Sequence, residues 1–105
     1  MSEYYTLQGH KAVPSSEWPT LSADQKRVAA DNVGEAWVST VFLVLNHSWI
    51  VDGPPLIFET MVFDGPHDGF CDRYSTWDEA AAGHARVVAN LQNHVAPDAT
   101  DAEGL

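Results

Sequence analysis

With 105 residues and a formal net charge of −10, the chain has room for one small acidic domain, 1–105. Five Lys plus Arg are too few to build a phosphate-binding surface, which disfavours direct nucleic-acid binding. A composition of 45% hydrophobic and 10% aromatic residues supports a core and argues against wholesale disorder.

No apolar run approaches the ~20 residues of a membrane span, so no membrane association is expected. Met1-Ser2-Glu3-Tyr4 lacks the basic and apolar regions of a signal peptide, and the lone Cys71 fits a reducing compartment; both point to the cytoplasm. The charge is uneven. Residues 31–105 hold twelve acids against Arg73 and Arg86, whereas three acids and three bases cancel in residues 1–30. Such a surplus serves solubility, or forms an acidic face for a basic protein surface of the kind that normally holds nucleic acid.

In chain order, Tyr4–Leu7 and His10–Val13 around Gln8-Gly9 predict a short hairpin. One helical turn is expected from Ser15 or Ser16, with Trp18 as a core plug, Pro19 closing it and the polar Ser22–Gln25 not helical. Lys26 to Asn32 reads as a strand ending at the turn Asn32-Val33-Gly34. Residues 37–45 are nearly all β-branched or aromatic and are apolar on both parities after Thr40, the pattern of a strand buried on both faces or central in its sheet. The loop Asn46–Pro55, with Asp52-Gly53-Pro54-Pro55, separates it from a second strong strand at 56–63, and the two should pair antiparallel. Phe70 to Tyr74 suits an edge strand. Thr76-Trp77-Asp78-Glu79 matches a capping box that opens a helix over about 77–95. Trp77, Ala80, Ala81, His84, Val88, Leu91 and Val95 share its apolar stripe, Pro97 ends it, and 96–105 is a flexible tail. The fold class is α+β: a small, meander-like antiparallel sheet with the C-terminal helix packed on one face.

The segments Val38-Ser39-Thr40-Val41-Phe42-Leu43, Asn46-His47, Gly53-Pro54-Pro55-Leu56-Ile57-Phe58-Glu59-Thr60-Met61-Val62-Phe63, Arg73-Tyr74-Ser75-Thr76, Glu79-Ala80 and Ala82-Gly83-His84 together resemble a family of small accessory proteins of tailed bacteriophages, mainly of actinobacteria. The likeness covers roughly residues 37–88 and loosely the Tyr-rich N-terminal segment. It implies a phage-encoded, non-virion protein in the host cytoplasm, and it assigns no activity to any residue.

Glu59, an acid inside an apolar strand, must be paired, protonated or facing a cleft. It is either a solvent-facing or Arg-satisfied acid or a functional carboxylate. His84, in the middle of the apolar stripe, is a satisfied core histidine or the partner of Glu59 in a pocket that would also include Ser39, Thr40 or Thr60. His10, His47, His67, His84 and His94 form no metal-ligand motif with Glu59 or Asp52, and no Ser or Cys lies in a nucleophile frame, so no metal, cofactor or catalytic residue is expected. Trp49, Ile50 and Val51 beside Asp52 are unusual for a loop, and they either fold back over the sheet or form an exposed anchor for a host protein or a second copy of the chain. The function read from these features is non-enzymatic binding to a host macromolecule. The alternative is a small-molecule binder or minor hydrolase built on Glu59 and His84.

Overall fold

The structure, a computed structural model, describes residues 4–50 and 52–98. Strands β1 (Tyr4–Gln8) and β2 (Lys11–Ser15) form a two-stranded hairpin that turns at Gly9, where φ is 61°. After a short helix α1 (Ala23–Lys26), strands β3 (Arg27–Val33), β4 (Ala36–Phe42), β5 (Phe58–Phe63) and β6 (Cys71–Tyr74) make an antiparallel sheet in the order β3-β4-β5-β6. Helix α2 (Trp77–Gln92) lies across one face of this sheet and touches all four strands. The fold is α+β, with β4 and β5 central as their sequence predicts. Among the described residues no helix is long and apolar enough to cross a membrane.

Strand alternation sorts the side chains into two faces. Ala36, Val38, Thr40 and Phe42 of β4 and Phe58, Thr60 and Val62 of β5 are buried on the α2 side. Trp37, Ser39 and Val41, with Glu59, Met61 and Phe63, occupy the opposite face. The double-sided apolar pattern of 37–45 therefore does not mean burial on both sides: β4 is buried on one face, and on the other Trp37 is 40% exposed, beside Phe63 of β5 at 37%.

β4 also ends earlier than expected. Val44 has φ 73°, and Leu45 N donates to Leu43 O at 2.8 Å, a tight γ-turn that a β-branched residue adopts only under constraint. The constraint is visible on both sides of the peptide. The Val44 side chain is buried in the core with Phe42, Ile57 and Phe58, and its carbonyl accepts from Tyr5 N at 2.8 Å, which docks the N-terminal hairpin.

Several local readings are corrected. Ser22 does not stop a helix but starts α1, accepting from Gln25 N while the Gln25 side chain caps the Ser22 N–H. Trp18 is 59% exposed rather than a core plug, set edge-on against Tyr4. Helix α2 stops at Gln92, short of Pro97. His94 adopts φ 56°, Val95 N donates to Asn90 O at 2.8 Å and His94 N to Leu91 O at 3.2 Å, a Schellman closure that satisfies the last carbonyls. Its stripe is also rotated, for Gly83 and Val87 are buried whereas Ala81 is exposed. At the other end Thr76 caps Glu79 N at 3.1 Å, but the Glu79 carboxylate meets the Thr76 hydroxyl instead of its N–H. The tail from 99 onward lies outside the described residues.

Gly83 sets how closely α2 approaches the sheet. A Cβ there would sit 2.3 Å from the Tyr74 ring and hydroxyl, and Tyr74 is buried and anchored. Gly83→Ala is expected to lower stability by about 2 kcal/mol or more through overpacking, read as a reduced denaturant midpoint with the helix still present by circular dichroism.

Candidate functional site

A polar chain crosses the interior between α2 and the sheet. Thr40 and Thr60 face each other across the β4–β5 pair, and their hydroxyls are bonded at 2.5 Å. Tyr74, from edge strand β6, donates its phenol to Thr60 Oγ1 at 3.1 Å. On the helix side the Thr40 hydroxyl lies 2.7 Å from Nδ1 of His84, whose Nε2 lies 2.7 Å from Oδ2 of Asp31 on β3.

The proton pattern follows from Asp31, which as a carboxylate only accepts. The His84 Nε2–H donates to it, leaving Nδ1 to accept from Thr40. Thr40 then accepts from Thr60, and Thr60 from Tyr74. One direction of donation satisfies every hydrogen and assigns the Nε2–H tautomer. Among the described residues no buried side-chain nitrogen or oxygen lacks a partner. Beside this chain Asp72 is fully buried, accepting from Arg73 N at 3.0 Å, with Arg86 Nη2 of α2 at 3.7 Å. Burial pushes the Tyr74 phenol up to about 12, against the opposing effect of its bond to Thr60.

Carboxylate, imidazole and hydroxyl in series is the order of an acyl-transfer triad. Here it cannot act as one, because Thr40 Oγ1 belongs to a residue with 0% exposure and is flanked on both sides by its bonding partners. The arrangement ties helix to sheet.

The predicted pocket is not formed. Glu59 and His84 lie on opposite faces of the sheet, so the expected Glu59–His84 pair is corrected: Glu59 Oε2 instead accepts from Arg73 Nε at 3.2 Å and Cys71 Sγ at 3.1 Å on the helix-free face. Ser39 shares that face and Thr60 shares the His84 face, so the four pocket candidates divide two and two. The reading of His84 as a satisfied core histidine and of Glu59 as an Arg-paired acid is the one observed.

The 46–55 loop is held at its base by Asn46, whose Oδ1 accepts from Ser48 N at 2.8 Å and Leu56 N at 2.9 Å. Trp49 is 77% exposed and Ile50 41%, while Asp52 is exposed in the left-handed region at φ 63°. Val51 lies outside the described residues. The loop does not fold Trp49 into the core. A second aromatic surface, missed in the sequence, is the contact of Trp37 with Phe63 on the helix-free face, ring centroids 5.1 Å apart. Among the described residues no group of three His, Cys, Asp or Glu is placed to hold a metal.

No protein-family model, no curated protein and no solved structure matches this chain.

Two outcomes follow from the buried chain. Thr40→Val leaves His84 Nδ1 without a donor and the Thr60 hydroxyl hydrogen without an acceptor, and should cost about 2 kcal/mol in equilibrium unfolding. For Tyr74, the folded phenol keeps its proton to higher pH than the unfolded one. Its contribution is complete below pH 10 and is lost progressively as the unfolded chain ionises between about 10 and 12. Tyr74→Phe should flatten the alkaline fall in stability over that window.

Proposed function

We propose that the protein acts by non-enzymatic binding to a host protein, in the cytoplasm of an infected bacterium as its resemblance to phage accessory proteins implies. The observation that carries this reading is the uncovered sheet face. Helix α2 covers one side, while the other presents the Trp37–Phe63 pair and half-buried Val41 and Met61. The carboxylate on that face, Glu59, is neutralised by Arg73. An apolar, locally neutral surface on a chain of net charge −10 suits association: apolar burial supplies affinity, and the surrounding acids speed encounter with a basic partner and reject acidic ones.

The Trp49 loop is a second anchor. It follows the Phe42 end of β4, whereas Trp37 and Phe63 sit at the opposite end of the same strand pair, so a partner that uses both must span the sheet. Once a host protein is isolated on the immobilised chain, its affinity is measured for the parent and for Trp37→Ala and Trp49→Ala. Each anchor that is a hot spot should weaken binding by about 2 kcal/mol, roughly thirtyfold. Raised salt should slow association without abolishing the complex. Parent-like affinity in both variants would remove the reading.

A further inference from the structure

A concavity lies at the far end of α2, on the opposite side of the hairpin turn from Trp37. It has a volume of about 790 Å³ and opens between the β3–β4 turn (Val33, Glu35, Ala36), the β5–β6 loop (Pro66, His67) and the end of α2 (Leu91, His94). Its floor is the second core cluster, to which Ala36 belongs and against which Val33 and Leu91 pack. We propose that this groove binds a small organic cation, an apolar body carrying one primary ammonium group.

Size and lining fit a small-molecule site, mostly apolar with a few polar groups at its edge. The charge of the ligand follows from what surrounds the groove. Its lining contains Glu35 and no Lys or Arg. The C-terminal end of α2, which carries the negative end of the helix dipole, also lines it, and no basic residue lies in the last turn. An anion entering here meets a carboxylate, the wrong end of a helix and a strongly acidic chain, whereas an ammonium is favoured by all three.

A bare metal ion does not suit the site, because Glu35, His67 and His94 are not gathered closely enough to hold one. They line the groove as separate polar groups. The walls are also set: a Cβ at Gly65 would contact Glu35 Cγ at 3.5 Å and Ala36 Cβ at 3.3 Å, so the β5–β6 loop is closely apposed to the hairpin turn. On the other wall His94 occupies the left-handed position where glycine is the relaxed choice, and it keeps an imidazole at the groove against a backbone cost.

The experiment uses phenylbutylammonium, with neutral phenylbutanol and anionic phenylbutyrate as matched probes, at pH 8. Amide shifts are followed by NMR on the intact chain. The ammonium should saturate with shifts confined to residues 33–36, 67 and 91–95 and bind tighter than the alcohol, which in turn binds tighter than the carboxylate. Glu35→Gln, a change in an exposed turn, should weaken the ammonium about fivefold, leave the alcohol unchanged and keep the unfolding midpoint. Equal or tighter binding of the carboxylate, shifts on the helix-free face instead, an indifferent Glu35→Gln variant, or no saturation by about 10 mM would overturn the proposal.

Discussion

Thr40 and His84 meet where α2, with small residues on its inner face, is held to the middle of the sheet by polar contact. On either side of them the contacts are apolar: Phe42, Phe58, Tyr74 and Ala80 toward the N-terminal end of α2, and Val38, Val62 and Val87 toward its other end. Hydrophobic burial favours contact but tolerates sliding along the helix axis. A run of hydrogen bonds from Tyr74 to Asp31 through all four strands of the sheet and the helix does not, since a shift of one residue would strand several buried donors at once. Gly83 acts in the same sense, by allowing the close approach to Tyr74 that brings His84 within reach of Thr40.

The central strands, their antiparallel pairing and the Thr76 cap were legible because each is written in a local pattern. The side of the sheet on which a residue falls was legible too, but in a different register of the sequence. Glu59 and Thr60 are neighbours in one strand, as are Ser39 and Thr40, and strand alternation forbids either pair from lining one pocket. Reading both members of each pair as candidates for the same site set chemistry ahead of that geometry. Asp31 was not legible as the partner of His84, because its position depends on strand register, and β3 carries an irregularity between Arg27 and Ala29 that periodicity cannot show. Asp72 and Tyr74 left a signal: they share parity in β6, opposite Cys71 and Arg73, and a strand with one face toward a helix must bury one of those sets.

Where local rules failed, tertiary packing had overridden them. Val44 takes a turn conformation that its branched side chain opposes, because that side chain fills the core and its carbonyl receives β1. His94 ends α2 where glycine would be expected, and Trp18 remains exposed although its size suggested the core. None of these outcomes is encoded within a window of a few residues.

Among the described residues the buried polar side chains all have partners, and the groups that remain open to solvent are what the molecule can offer a partner or ligand. The groove and the Trp37 end of the uncovered face meet at one hairpin. Ala36 points into the groove side and its neighbour Trp37 onto the uncovered face, since adjacent strand residues face opposite ways. Gly34, at φ 59°, supplies the turn that holds Val33 and Ala36 in register, and Ala36 is in turn closely approached by Gly65 of the next loop. A four-stranded sheet with a single helix has little interior to give to function. At the β3–β4 turn, beside the end of α2, neighbouring side chains of one strand serve both faces of the sheet.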